Sequence, residues 1–130
     1  MSRRLVAILF VGLLLAGCSS PVALPDRTDP AVQEEEARLT QLLETTDDFW
    51  PPNPRRCAVR LLRQEGATFY VWASCEGAEV VADDQVERPA GSGPLRIDGD
   101  LVSQPGEVLE DIEEMFPADL AEAILNGDLP

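Results

Sequence analysis

The chain has 130 residues, 24 of them acidic against ten basic, giving a formal net charge of −14, and it contains no histidine. So negative a surface repels phosphate backbones, which excludes nucleic acid as a partner. Without an imidazole, neither a Ser-His-Asp nor a Cys-His nucleophile system can be built, nor the usual zinc site; the expectation is no catalytic set, no metal and no cofactor.

The chain opens on a positive pair, Arg3 and Arg4, followed by an almost wholly apolar run from Leu5 to Leu14 and by Leu15-Ala16-Gly17-Cys18. A charged start, a short apolar stretch and a small-residue exit describe an export signal. The apolar run falls short of the about 20 residues that a membrane span needs. The last four of these residues resemble a bacterial lipobox. That resemblance covers residues 1–18 and implies cleavage between Gly17 and Cys18. It further implies lipid on the Cys18 sulfur and acylation of the new amino terminus. More than one acyl chain makes a stable anchor. The implied location is the cell membrane, lipid-anchored and facing the extracytoplasmic side.

The domain plan is then a leader over 1–17, a lipidated cysteine with a proline-rich spacer over 18–29, and an acidic domain over 30–130. Loss of the leader removes two arginines and leaves eight basic residues against 24 acidic ones, a net charge of −16. Anionic headgroups repel such a domain, so the lipid must hold it at the membrane. Every basic residue is arginine, in a chain rich in Ala, Gly, Pro, Val and Asp. This composition resembles that of small uncharacterised lipoproteins of high-GC Gram-positive bacteria, a likeness that brings no activity with it. The spacer carries Pro21, Pro25 and Pro30. Its residues 19–30, in an extended polyproline form at about 3.1 Å per residue, would reach roughly 35 Å.

Asp29-Pro30 has the form of a helix start, an N-cap followed by proline at the first helical position. Val32, Leu39, Leu42, Leu43 and Thr46 fall on one stripe, which predicts a helix from about 30 to 46. The triplet Glu34, Glu35 and Glu36 is read as its solvated face. Pro51, Pro52 and Pro54 then force an extended connection, with Phe49 and Trp50 closing the core.

With Cys18 taken by lipid, Cys57 and Cys75 remain as a pair in an oxidising compartment, and a disulfide is the default. The stretch between them alternates as two strands of a hairpin. Opposing the cysteines places Val59 against Ala73 and Leu61 against Val71 on the apolar face. On the other face Arg60 opposes Trp72, a candidate cation–π pair, and Leu62 opposes Tyr70. A two-residue turn at Glu65-Gly66 would miss this register by one, so a bulge or a three-residue loop must absorb the difference. Arg60, Tyr70 and Trp72 form the candidate partner contact, because exposed arginine and aromatic side chains anchor interfaces.

Residues 76–94 read as an acidic loop with a short strand at Ala78–Ala82. Its carboxylates lack the alternating spacing of a calcium loop. Asp98-Gly99 marks a second hairpin. Val108, Leu109, Ile112, Met115 and Phe116 form one helical stripe. Leu120, Ile124 and Leu125 form a second, started by Pro117 and stopped at Asn126-Gly127. The expected fold is α+β: an N-terminal helix, a small antiparallel sheet of about four strands from two hairpins, two short C-terminal helices on one face, and one disulfide. The expected function is a non-catalytic interaction module of the cell envelope. It would meet the membrane through Cys18 and bind an envelope protein. A small-ligand binder is the alternative, and a carboxylate-based envelope hydrolase a more distant one.

Overall fold

The computed structural model describes residues 22–47, 49, 51–106 and 109–129. The leader, Gly17, Cys18, Trp50 and Val108 lie outside the described residues. In chain order the elements are α1 (Pro30–Thr45), β1 (Arg55–Glu65), β2 (Thr68–Gly77), β3 (Val80–Ala82), β4 (Gln85–Glu87), β5 (Ala90–Asp98), β6 (Leu101–Ser103), α2 (Leu109–Met115) and α3 (Ala118–Leu125). An antiparallel four-stranded sheet runs in the order β1-β2-β5-β6, and β3 and β4 pair as a separate hairpin. The fold is α+β, as the hydrophobic patterns predict.

α1 starts where the sequence places it. The Asp29 carboxylate accepts from the Ala31 N–H at 2.9 Å, and Pro30 follows the cap. Leu39 and Leu43 are fully buried, with Val32 and Leu42 packed at their margin. They cover the face of the sheet that carries Cys57, Val59, Leu61, Phe69, Val71, Ala73, Cys75, Leu95 and Ile97. Cys57 and Cys75 are bonded directly across β1 and β2, with Cα atoms 4.1 Å apart. The cross-link lies in this first core, and Val59 faces Ala73 and Leu61 faces Val71 as expected. In the chain-entropy model a closed loop of this size contributes about 3 kcal/mol.

The helices do not share one face. α1 covers the disulfide face, and α2 and α3 pack on the opposite one. There Leu62, Tyr70, Ile112, Phe116, Leu120 and Ala121 form a second core. A β-bulge makes this possible. Leu61 pairs with Val71, but the next pair is Arg63 with Tyr70, leaving Leu62 as the extra residue. The expected Leu62–Tyr70 pair is therefore replaced. A bulge places two successive residues against one on the partner strand. Here it delivers Leu62, with no exposed surface, to the second core and Arg63 to α3. The bulge also settles the turn. The hairpin loop is Gly66-Ala67, one residue later than Glu65-Gly66, since Glu65 still pairs with Thr68. The second hairpin shows the same shift, with Asp98 paired to Leu101 around Gly99-Asp100. Gly66 and Gly99 have φ of 59° and 62°, and neither following residue is positive, which is the type II′ pattern. The two turns touch, the Gly99 N–H donating to the Ala67 carbonyl at 3.0 Å.

The proline-rich connection is organised by one side chain. Arg55 is buried, and its guanidinium donates to the carbonyls of Leu43 (2.6 Å), Thr46 (2.5 Å), Phe49 (2.7 Å) and Pro51 (2.6 Å). The last carbonyls of a helix have no intrahelical donors, and a cation there meets the negative end of the helix dipole. Arg55 answers both needs and folds residues 46–51 back around itself, with the Phe49 ring 5.1 Å beneath it. Removing it leaves four carbonyls without their donor. Arg55→Met is expected to cost about 3 kcal/mol, measured as a shift in the urea midpoint, because each buried group left unsatisfied costs about 1–3 kcal/mol. The neighbouring Arg56→Met, at an exposed position, is expected to stay within about 0.5 kcal/mol of the parent.

Candidate functional site

The three residues singled out as a partner contact meet different fates. Tyr70 is buried, its ring 5.6 Å from that of Phe116, and does not reach the surface. The structure thus withdraws it from the contact. Trp72 is half-buried at the edge of the second core, and its indole N–H donates to the Ser92 hydroxyl at 2.9 Å. Arg60 stands opposite Trp72 in the register, as predicted. Among the described residues, however, the guanidinium–ring contacts are Arg38 over Phe69, Arg55 over Phe49 and Arg96 over Tyr70; Arg60 over Trp72 is not one of them. The Arg60 Nη1 atom is itself buried without a hydrogen-bond partner.

What Arg60 and Trp72 do border is an uncovered part of the sheet. α2 and α3 cover the turn end of the second face, over Leu62 and Tyr70. Toward the other end of the strands, Ala58, Ser74 and Ser92 are exposed side by side, and Arg56 and Glu76 close the row. The Ser74 and Ser92 hydroxyls are 2.9 Å apart. Together these side chains floor a shallow depression of about 540 Å³. The floor is shallow because between Arg56 and Glu76 at its end and Trp72 the strands offer mainly Ala, Ser and Gly.

The strand that completes this floor is illegible in the sequence. "AGSGP" reads as loop, yet β5 begins at Ala90 and pairs with β2 as far as Glu76. Pro94 is tolerated because β6 pairs only with Arg96, Ile97 and Asp98, so the outer side of β5 at Pro94 needs no ladder donor. The expected loop over 76–94 also contains the hairpin β3–β4. Its turn residues Asp83 and Asp84 both have positive φ, 51° and 60°, the type I′ form that favours Asp. Their acidity is accounted for by the turn. Among the described residues no group of three His, Cys, Asp or Glu is placed to hold a metal. The base of this hairpin is fixed: the Gly77 N–H donates to the Pro89 carbonyl at 2.7 Å. A Cβ on Gly77 would lie 3.0 Å from Pro89 and 3.1 Å from Pro51. The strands beyond it carry Val80, Val81 and Val86, which are 52%, 71% and 63% exposed.

The charged groups that the burial would mark as functional are spent on the fold. Glu36 is the clearest. The glutamate triplet does not form one solvated face: Glu36 is buried. Its carboxylate takes a bidentate pair from Arg27 at 3.1 Å and the Leu61 N–H at 3.0 Å. Glu44, two turns on, accepts the Cys57 N–H at 2.9 Å. Arg96 pairs with Asp98 at 3.0 Å, and the Thr68 hydroxyl donates to the same carboxylate at 2.7 Å. The Thr68 and Arg96 hydrogen bonds hold the Asp98 carboxyl below its ordinary range.

No protein-family model, curated protein sequence or solved structure matches the chain.

α3, which covers the turn end of the second face, is tied to β1 by an ion pair. Arg63 donates twice to Asp119, at 2.8 and 2.6 Å. This pairing is the main reason the Asp119 carboxyl is lowered from 3.8 to about 2. A carboxyl lowered on folding stabilises above its unfolded value and loses that contribution as pH falls through its folded one. Asp119 is 55% exposed, so the pair is worth the about 0.5–1 kcal/mol of a solvent-screened bridge. Asp119→Asn is expected to lower stability by that amount above pH 4. The gap between variant and parent should close as pH falls toward 2, as read by urea denaturation at each pH.

Proposed function

We propose that this protein is a lipid-anchored extracytoplasmic module that binds an envelope protein and carries out no catalysis. The observation that carries the reading is the exposed valine hairpin beside the uncovered sheet floor. Val81 and Val86 are direct cross-strand partners, so they stand together on one face of the hairpin as an exposed apolar pair. Soluble domains do not usually leave a ladder of apolar residues in water without a use. Arg56, Glu76, Glu79 and Arg88 line a depression of about 310 Å³ at the hairpin's base, joining it to the end of the floor. An apolar patch, a small-residue floor and a charged border are the ordinary parts of a protein interface.

Two further observations favour binding over chemistry. The buried carboxylate of Glu36 accepts two hydrogen bonds from Arg27 and one from the Leu61 N–H, which commits it to the fold. The space between sheet and α1 is filled by side chains with little or no exposed surface, Leu39, Leu43, Val59, Val71 and Ile97. That filling argues against the small-ligand alternative, whose pocket would lie there.

The anchor rests on the sequence signal, with Cys18 as the lipid site and Gly17-Cys18 as the cut. Among the described residues no helix is long and apolar enough to cross a membrane. Cys18→Ala is expected to abolish incorporation of a fatty-acid probe and to leave unprocessed precursor; labelling that survives would remove this part of the proposal. For the interface, the expected result is that Val81→Asp with Val86→Asp abolishes capture of the partner from envelope extract. These positions are 71% and 63% exposed, so the thermal midpoint should be unchanged. Capture equal to the parent's would show that the hairpin is not the contact.

A further inference from the structure

Residues 22–29, read from the prolines as part of a spacer, form a strap bound to the domain. Val22 and Leu24 pack against the second core, as do Trp72 and, from the other end of the chain, Leu129. Asp26 accepts from the Thr28 N–H and hydroxyl at 2.9 and 2.8 Å, forming a closed turn. Arg27 reaches the Val59 carbonyl at 3.3 Å on the outer edge of β1, in addition to its pair with Glu36. The strap therefore leaves α1, crosses the edge of β1 and ends on the second face.

We propose that the domain is moored against the bilayer by this strap, with the helix-covered end of the second face, where Val22 docks, turned to the headgroups and the valine-hairpin end left open to a partner. The inference rests on the proposed lipid at Cys18. Residues 19–21 alone separate that cysteine from the docked Val22. Four residue steps span at most about 14 Å, less than half the about 35 Å that the whole proline-rich stretch would reach if free. The occupant of this side is thus the membrane holding the protein's own lipid. Local charge agrees with that choice. Arg56 and Arg60 point to one face of β1. Among the described residues they are the two arginines that take part in no hydrogen bond or ion pair. Arg60 lies close enough to the strap to help lower the Asp26 carboxyl, after the Thr28 hydrogen bonds. A strongly acidic chain thus places Arg60 beside the docked strap, with Arg56 further along the same strand face.

The test uses the lipidated full chain in phosphatidylcholine vesicles containing a dansyl-labelled phosphatidylethanolamine. Trp50→Phe leaves Trp72 as the energy donor, since the chain has two tryptophans. Strong transfer from Trp72 to the dansyl headgroups is expected. Inserting about 12 Gly/Ser residues between Ser20 and Pro21 adds roughly 20 Å of reach without touching the domain, and should lower transfer several-fold. Val22→Asp with Leu24→Asp should lower it likewise, by freeing the strap. Equal transfer with and without the insertion, in protein whose Cys18 carries a fatty-acid label, would overturn the mooring and leave the anchor standing. Protein that carries no label and fails to associate with vesicles would overturn the anchor and the mooring together.

Discussion

The structure depends on how the outer edge of β1 is satisfied. An edge strand presents unpaired backbone donors and acceptors, which must find partners or invite aggregation. Here the partners come from side chains of the preceding segment. Glu44 takes the Cys57 N–H, Glu36 takes the Leu61 N–H, and Arg27 gives to the Val59 carbonyl between them. Glu36 and Glu44 are spaced to lie on one side of α1, and Leu39 and Leu43 between them enter the core. The same helix face thus buries leucine and caps a strand. Arg27 compensates the Glu36 charge that this burial would otherwise leave unpaired. Fixing α1 along the edge also fixes its C-terminal carbonyls over Arg55, which in turn shapes the proline-rich connection.

Much of this fold can be read from residue patterns, and the limits of that reading have physical causes. Alternation and cysteine pairing give the β1–β2 register, because both report on which face a residue occupies, and a local period carries that information. The N-cap at Asp29 and the two C-terminal helices are equally local. Glu36 is missed because its partners, Arg27 and the backbone of Leu61, are distant in sequence, so nothing near it distinguishes it from Glu34 or Glu35. The two hairpin turns are each misplaced by one residue for a shared reason. In both, glycine takes the first loop position and not the second. β5 is missed over its first residues because glycine, serine and proline usually mark loops, and only the missing neighbour on its outer side lets them form a strand.

The candidate contact is half legible for a related reason. Alternation places Arg60, Tyr70 and Trp72 on the face opposite the disulfide. It does not say how much of that face the C-terminal helices cover. Coverage ends between Tyr70 and Trp72, so one aromatic is core and the next is border. The valine hairpin lies in a stretch whose acidity dominates its composition. Its strands are three residues long, too short for a period to show.

The second core is assembled from the two ends of the chain around Leu62 and Tyr70. The first core, apart from α1, is made by strands joined through tight turns and locked by a covalent bond. Such a division produces two cooperative units of unequal strength. The strap and the α2–α3 pair each contribute few residues, and of their ion pairs Arg63–Asp119 is largely open to solvent. They form the unit expected to open first, with the cross-linked sheet staying whole. Transient opening would bare Leu62 and Tyr70 without unfolding the sheet, so the domain's proteolytic lifetime would follow the meeting of its termini rather than its disulfide.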